Sequence, residues 1–171
     1  VAADLGNTAL FGALFNGATL HVASDEQMQD GNLFAEFVQQ QAIDCLKIVP
    51  SHLAALLASE RAQLPRTLIL GGEPIAPALV QQLARLRSDC RVFNHYGPTE
   101  ATVGVLVHPL RLDADAADCG ILSQVLGNNK VFVLDDNLQL APVGVLGELY
   151  LGGAQLCRGY VNAEADAQVF I

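Results

Sequence analysis

Residues 43–51 read Ile-Asp-Cys-Leu-Lys-Ile-Val-Pro-Ser, and this stretch decides the fold. The near-continuous apolar run Ile43–Val49 is typical of a strand buried on both faces, and Pro50-Ser51 then opens a helix. The same order returns at Thr67–Leu70, a second apolar strand that is followed by a helix with Pro77 near its start. This alternation predicts an α/β fold built on a mainly parallel, layered sheet.

The strand and helix pattern continues on both sides of these two units. Residues 5–15 predict a helix that ends at Asn16-Gly17, and Thr19–Ala23 predicts a short strand. A helical stripe follows, with Asn32 as its candidate cap, and Arg91–His95 predicts another strand of the sheet. These elements complete an N-terminal part in which strands and helices alternate.

The pattern changes in the C-terminal part of the chain. Three segments predict strands that are separated by turns, namely Val103–Val107, Val131–Leu134 and Leu146–Leu151. No helical stripe follows them, so we expect an antiparallel sheet or a piece of a small β-barrel. We therefore divide the chain into an α/β subdomain, residues 1–110, and a β-rich, partial-barrel subdomain, residues 111–171.

Composition excludes several classes of protein. The chain has 171 residues, 51% of them hydrophobic and 16% charged, which is enough apolar material for a sizeable core and excludes intrinsic disorder. Lys and Arg total 9 against 18 Asp and Glu, and without a basic stripe we expect no nucleic-acid partner. No apolar run is long enough for a membrane span. The acidic stretch Asp113–Asp118 is interpreted as a solvated loop.

The cysteines indicate a compartment rather than a site. The four cysteines are widely spaced without a C-x-x-C pair, which favours a reducing, cytoplasmic environment over a zinc or disulfide framework. Cys45 lies inside an apolar run and is predicted to be buried. Both ends of the chain are apolar, with Val1 at one and Phe170-Ile171 at the other, from which we expect a piece of a larger protein.

Two unusual runs follow strands of the predicted sheet, where open parallel sheets bind ligands. They are residues 69–74, Ile-Leu-Gly-Gly-Glu-Pro, and residues 94–100, Asn-His-Tyr-Gly-Pro-Thr-Glu. The second run brings an amide, an imidazole, a phenol, a hydroxyl and a carboxylate close together. A tight turn explains Gly71-Gly72 equally well. The chain has no P-loop, dinucleotide or nucleophile-elbow motif, so nucleotide chemistry would need a different cradle.

Lys47 is one of only two lysines and lies within the most apolar predicted strand. A buried ammonium is costly unless it is paired or faces a polar cavity. Two interpretations stay open. The side chain either reaches water at the end of the strand, or it lines a pocket for an anionic group.

Three segments carry a resemblance to one enzyme family. Residues 94–100 resemble the N-x-Y-G-P-T-E motif of amino-acid adenylation domains in non-ribosomal peptide synthetases. Gly147–Gly153, running on to Arg158-Gly159-Tyr160, resembles their motif G-E-L-x-x-x-G-x-x-x-x-R-G-Y, and residues 4–20 resemble the segment that opens their substrate pocket. The order and spacing of the three agree with the family over essentially the whole chain.

The resemblance implies a two-step reaction. An amino acid and ATP with Mg²⁺ give an aminoacyl-adenylate and pyrophosphate, and the aminoacyl group then passes to the phosphopantetheine thiol of a carrier domain. By matching position, Asn94 would bind the adenine amino group and Tyr96 would stack on the ring. Thr99 and Glu100 would be catalytic, with Thr99 on the α-phosphate and Glu100 on Mg²⁺. The implied nucleotide site comprises Gly71, Gly72, Glu73, Asn94, Tyr96, Gly97 and Thr99.

The resemblance also implies a substrate pocket. Its lining would be Asp4, Leu5, Thr8, Lys47, Ile69, Gly71, His95, Val103 and Gly104. Asp4 would pair with the substrate ammonium. Lys47 and His95 can both be cationic, so the substrate side chain should be a small acid. This pattern resembles aspartate-activating domains, with asparagine or β-hydroxylated aspartate as near alternatives.

The family's remaining parts are expected outside residues 1–171. They are the Ser/Thr/Gly-rich phosphate loop, the Y-x-T-G-D motif that holds the ribose, and a catalytic lysine. We therefore expect the isolated chain to have little or no adenylation activity. The implied partners are the amino-acid substrate and the carrier and condensation domains of the same synthetase.

Two other functions remain open. An acyl- or aryl-CoA ligase of the same superfamily would share the fold, but a pocket carboxylate at Asp4 suits an ammonium group better than an acid that lacks one. A non-catalytic binding module that kept the fold is the other alternative, and the presence of Thr99 and Glu100 argues against it.

Overall fold

The structure is a computed structural model, and it describes residues 4–112 and 119–171. The stretch Asp113–Asp118, which the sequence predicts to be a loop, lies outside the described residues. The helices are the 3-10 segment Asp4–Gly6, α1 Asn7–Phe15, α2 Asp25–Gln29, α3 Gly31–Gln40, α4 Pro50–Leu56, α5 Pro77–Leu86 and α6 Ala163–Val169. The strands are β1 Cys45–Ile48, β2 Thr67–Gly71, β3 Arg91–Tyr96, β4 Leu106–Leu110, β5 Gln124–Val125, β6 Asn129–Leu134 and β7 Glu148–Gly153.

The main sheet has the strand order β1-β2-β3-β4-β5. Strands β1, β2 and β3 are parallel, whereas β4 and β5 each run antiparallel to the strand before them. The two parallel pairs are joined through α4 and α5, as crossover connections between parallel strands require. The prediction of an α/β fold with a parallel-rich sheet is thus confirmed.

The second sheet is the antiparallel pair β6 and β7. In the described part of the chain these strands form a hairpin, and no closed barrel is present. Strand β5, the first strand after residue 119, pairs with β4 and therefore belongs to the main sheet.

The core lies on one face of the main sheet, under α3, α4 and α5. Leu68 and Leu70 of β2 are fully buried there, together with Leu53 of α4 and Leu83 of α5. Fully burying such a side chain contributes about 1.5–3 kcal/mol each, so this face holds the sheet and helices together. The prolines in the first turns of α4 and α5 fit positions whose backbone N–H groups need no helical partner.

Two predicted strands differ from the structure. Thr19–Ala23 has no strand structure, and Val22 in its middle is 83% exposed, since no neighbouring strand pairs with it. The strand predicted at Val103–Val107 begins only at Leu106. Val103 has φ +60°, a left-handed conformation that interrupts extended structure.

Other local predictions were wrong for identifiable reasons. Helix α6 was not predicted because it carries no apolar stripe, yet the Asn162 side chain caps its first turn. Helix α3 begins two residues earlier than expected, since Asp30 rather than Asn32 is its cap. Cys45 is exposed at the edge of β1 rather than buried. Within the described residues, no helix has the length and apolar character needed to cross a membrane.

Candidate functional site

The candidate site lies on the face of the main sheet opposite the core. The strand register places Lys47 of β1 beside Ile69 of β2, and Gly71 of β2 beside His95 of β3. Alternate residues of a strand point to the same face, so Ile69 and Gly71 share this face and their partners join them. The 3-10 segment and α1 contact β1 and cover this side of the sheet.

A hydrogen bond joins Lys47 and His95, whose Nζ and Nδ1 atoms are 2.7 Å apart. Burial lowers the pKa of Lys47 to about 8, and the Asp4 carboxylate opposes part of that shift. Burial and the charge of Lys47 together lower the pKa of His95 to about 4. At neutral pH the ammonium therefore donates to a neutral imidazole, whose proton is on Nε2.

This geometry corrects the expectation of two cations in the pocket. Lys47 and His95 share one hydrogen bond, and a second positive charge 2.7 Å from the first is unfavourable. The pocket therefore has one cation at neutral pH, Lys47, and His95 serves as its acceptor. The same bond argues against a lysine that simply extends to water at the strand end.

Asp4, the first residue of the 3-10 segment, is bonded to the loop that follows β3. Its Oδ2 atom accepts a hydrogen bond of 3.1 Å from the backbone N–H of Val103. Val103 has φ +60°, which is rare for a β-branched residue, and this bond helps hold it there. The two carboxyl oxygens of Asp4 leave acceptor capacity for a further donor.

Two glycines lie so close to His95 and Lys47 that a larger residue at either position would clash with them. A Cβ atom on Gly104 would overlap the His95 ring, and one on Gly71 would lie 2.8 Å from Lys47 Nζ. Of the other predicted pocket residues, Leu5 lies near Gly72. A Cβ atom added to Gly72 would lie 3.8 Å from the Cδ1 atom of Leu5. Thr8 stands in the first turn of α1.

The predicted nucleotide residues lie at the ends of β2 and β3. Asn94 donates its side-chain amide to the Cys119 carbonyl at 3.2 Å. Tyr96 is 38% exposed at the end of β3, and Thr99 in the following loop is exposed. Gly72 has φ +85°, the left-handed conformation that turns the chain sharply after β2.

Glu73 has a structural contact that the sequence did not indicate. Its carboxylate accepts from the backbone N–H of Ser51 at 3.0 Å and from the Ser51 hydroxyl at 2.9 Å. These bonds hold the pKa of Glu73 below its usual value. Glu73 therefore ties the turn after β2 to the first turn of α4.

Glu100 is fixed by the second sequence motif. The Tyr160 hydroxyl donates to Glu100 Oε1, and the backbone N–H of Cys157 donates to the Glu100 carbonyl at 2.8 Å. The bond from Tyr160 holds the pKa of Glu100 below its usual value and raises the pKa of Tyr160. Sequence reasoning missed this contact, because the two residues are 60 positions apart and only their shared motif context links them.

Gln155 makes a second connection between the two motifs. Its side-chain amide donates to the backbone carbonyls of Thr102 at 2.7 Å and Gly104 at 3.0 Å, and its backbone carbonyl accepts from the Thr102 N–H at 2.8 Å. Ala101 and Leu156 form an antiparallel bridge beside it. The loop that carries Glu100 and Gly104 is thus fastened to the end of the β6–β7 hairpin.

The donor set fits Mg²⁺ better than a transition metal. Among residues 4–112 and 119–171, no group of three or more His, Cys, Asp or Glu side chains could hold a metal ion. Glu100 instead offers one carboxylate. Mg²⁺ is commonly held by one or two carboxylates together with substrate phosphates and water, so this carboxylate suits it in the presence of a nucleotide.

Comparisons with known proteins identify the family of this chain. Residues 1–161 match the family model described as AMP-binding enzyme. Bacitracin synthase 3 of Bacillus licheniformis is 34% identical over 168 residues, which cover 93% of this chain and 3% of the synthase. AMB antimetabolite synthetase AmbB of Pseudomonas aeruginosa is 43% identical over 162 residues, which cover 92% of this chain and 12% of AmbB.

A solved structure shows the same fold. It is that of holo-AB3403, a four-domain non-ribosomal peptide synthetase bound to AMP and glycine, with 32% identity and a TM-score of 0.82. The alignment covers 96% of this chain and 12% of that one. The resemblance to adenylation domains is therefore confirmed, and this chain spans only a small part of the relatives that it matches. With a family model that covers most of its length, the chain belongs to the AMP-binding enzyme family.

Proposed function

We propose that this chain is part of an adenylation domain that activates an amino acid as its aminoacyl-adenylate, at the expense of ATP with Mg²⁺. The observation that carries the proposal is the position of the Asn94–Glu100 run. The run begins on β3, its His95 bonds Lys47, and Val103, three residues after its end, bonds Asp4. A nucleotide on that run would lie next to a substrate beside Lys47 and Asp4, which is the proximity that attack of the substrate carboxylate on the α-phosphate, with release of pyrophosphate, requires.

The nucleotide would be held by residues at the ends of two neighbouring strands, β2 and β3. Asn94 would bind the adenine amino group, Tyr96 would stack on the ring, and Gly71-Gly72 would lie along it. Thr99 would bond the α-phosphate while Glu100 holds Mg²⁺. A cation held close to the reacting phosphate is worth several kcal/mol when its position is fixed in advance, and Glu100, which would hold it, is itself fixed by one side-chain and one backbone hydrogen bond.

The substrate that fits the pocket best is L-aspartate. Asp4 would take the α-ammonium, and Lys47 would take the side-chain carboxylate. With one cation in the pocket, a substrate with one negative side chain balances its charge. At about 4 Å and an effective dielectric near 20, such an ion pair is worth roughly 4 kcal/mol before desolvation, and half of that is about thirtyfold in binding.

The parent protein would work within a synthetase in the cytoplasm. Holo-AB3403 is a four-domain synthetase, and bacitracin synthase 3 is far longer than the part that this chain matches. Neighbouring carrier and condensation domains would therefore be its partners, with the aminoacyl group loaded on a phosphopantetheine thiol. Within that protein, residues 1–110 would supply the pocket and residues 111–171 the β-rich part that supports it.

The test is amino-acid-dependent ATP–pyrophosphate exchange by the full-length enzyme that contains this chain. The panel comprises aspartate, asparagine, glutamate, leucine and phenylalanine. We expect aspartate to be activated best, asparagine less because it lacks the charge, and glutamate less because of its extra methylene. Lys47→Met should lower the kcat/KM for aspartate by about thirtyfold and change that for asparagine little.

Lys130→Met is the matched control, because Lys130 is the only other lysine and lies exposed on the hairpin. It should leave the substrate order unchanged. Best activation of leucine or phenylalanine would contradict the aspartate proposal. Activation of acids without an amino group would favour the CoA ligase, and no exchange with any acid would favour a binding module.

A further inference from the structure

We infer that Tyr160 is a positioning residue that orients the Glu100 carboxylate for its metal. The inference rests on the proposed role of Glu100 as the Mg²⁺ ligand. The Tyr160 hydroxyl donates to Oε1 of Glu100, so one carboxyl oxygen is occupied by a neutral donor. The other oxygen, Oε2, is then the one that we assign to the cation.

Tyr160 is itself held in place by α6 and its flanks. The Asp166 side chain accepts a hydrogen bond of 2.7 Å from the Tyr160 backbone N–H. Gly159 has φ +110°, and a Cβ on it would overlap Asp166, so only glycine lets the chain reach this position. The Tyr160 ring packs edge-on against Phe170, with centroids 6.2 Å apart. These contacts fix the ring before it meets Glu100.

Glu100 is anchored from its backbone by the same segment. Its carbonyl accepts from the Cys157 N–H at 2.8 Å, and the neighbouring Ala101 forms a bridge with Leu156. The segment at residues 156–157, just before Tyr160, is thus bonded through its backbone to Glu100 and Ala101. A carboxylate held at its backbone and at one oxygen has little rotamer freedom left to lose when it binds a cation.

Partners that orient a metal ligand typically change metal affinity by 10- to 100-fold when they are removed. Tyr160 is 41% exposed, so water can replace part of what its hydroxyl provides. We therefore expect the loss of Tyr160's hydroxyl to lower metal affinity by about tenfold, the lower end of that range.

The experiment uses the full-length enzyme with Tyr160→Phe, which removes the hydroxyl and keeps the ring on Phe170. Two quantities are measured. The first is the Mg²⁺ concentration that gives half-maximal pyrophosphate exchange. The second is Mn²⁺ binding in the presence of ATP, followed by electron paramagnetic resonance without turnover. We expect both to weaken by about tenfold while the KM for aspartate stays unchanged.

Tyr150→Phe is the matched control. The Tyr150 hydroxyl also donates to a glutamate, Glu148, at 3.2 Å, but on β7 away from the site. Its loss should leave both metal measurements unchanged. Asp166→Ala is the second variant, since it frees the Tyr160 backbone without touching the hydroxyl. It should weaken Mn²⁺ binding in the same direction as Tyr160→Phe.

Glu100→Gln separates the inference from the proposed function. If Glu100→Gln loses Mn²⁺ binding while Tyr160→Phe binds it as well as or better than the parent enzyme, the positioning role is overturned and the proposed function stands. If Glu100→Gln binds Mn²⁺ normally, the metal role of Glu100 is wrong, and the inference fails with it. A KM for aspartate that rises together with the metal requirement would indicate a general loss of structure and would also overturn the inference.

Discussion

Lys47 is the residue that gives the candidate pocket its charge, and that charge varies near neutral pH. Its pKa of about 8 means that most molecules carry the ammonium at pH 7 and few do at pH 9. His95, with a pKa of about 4, stays neutral over that whole range. The pocket therefore loses its positive charge as the pH rises through 8, because Lys47 becomes neutral and His95 is neutral already.

We expect the preference for aspartate over asparagine to fall with rising pH. The ratio of the two kcat/KM values should drop by about tenfold between pH 7 and pH 9, because kcat/KM follows the ionisation of the free enzyme. Effects of pH on ATP and Mg²⁺ binding act on both substrates and cancel in the ratio. The ratio of Lys47→Met should not vary with pH. A ratio that stays constant in the parent enzyme would contradict the assignment of Lys47.

The sequence predicted a set of site residues but not how they interact. The run from Asn94 to Glu100 was recognisable because it packs several functional groups into one loop. The Lys47–His95 bond joins residues 48 positions apart, and nothing in either local sequence indicates it. The sequence alone therefore predicts that Lys47 and His95 can both be cationic. In the sequence, Tyr160 is recognisable only as part of a motif. Its bond to Glu100 depends on tertiary structure, which the motif does not indicate.

At the scale of elements, predictions succeeded where an apolar pattern or a proline marks the element. Strands β1 to β3 and the starts of α4 and α5 were found this way. Helices α2 and α6 have no fully buried residues, and each begins at a side-chain cap, Ser24 for α2 and Asn162 for α6. The strand predicted at Thr19–Ala23 failed because strand composition alone supplies no pairing partner.

The cap of α3 gives a direct test of one such difference. Asp30 accepts hydrogen bonds from the N–H groups of Asn32 at 2.8 Å and Leu33 at 3.0 Å. Asp30→Ala should lower the free energy of unfolding by about 1 kcal/mol, as measured by urea denaturation of this chain. Asn32→Ala, at the position that the sequence predicted as the cap, should change it by less than about 0.5 kcal/mol. Equal losses for the two variants would contradict the observed cap.

For the whole molecule, stability is distributed unevenly between the two sheets. In residues 4–112 and 119–171, the buried hydrophobic side chains all lie at or before Cys119. The β6–β7 hairpin instead exposes much of its apolar surface, with Leu146 96% exposed. A two-stranded hairpin without a buried face is only marginally stable by itself.

Hydrogen exchange should reveal this difference. We expect the backbone amides of β1, β2 and β3 to exchange most slowly, because opening them requires unfolding of the core. Amides of β6 and β7 in this chain should exchange at least about a hundredfold faster, which corresponds to roughly 3 kcal/mol less opening free energy. The measurement is mass spectrometry after exchange in heavy water. Equal protection of the two sheets would show that the hairpin shares the stability of the core.

The span of the site contacts has a consequence for synthesis on the ribosome. The Asp4–Val103 bond joins residues 99 positions apart, and the Glu100–Tyr160 bond joins residues 60 apart. At about 5–20 residues per second, the two partners of the first bond are made roughly 5–20 s apart. The three parallel strands lie between Cys45 and Tyr96, so all of them precede Tyr160 in the sequence. The nascent chain can therefore complete its parallel strands while Tyr160 has not yet been translated, so the scaffold exists before the site that it supports.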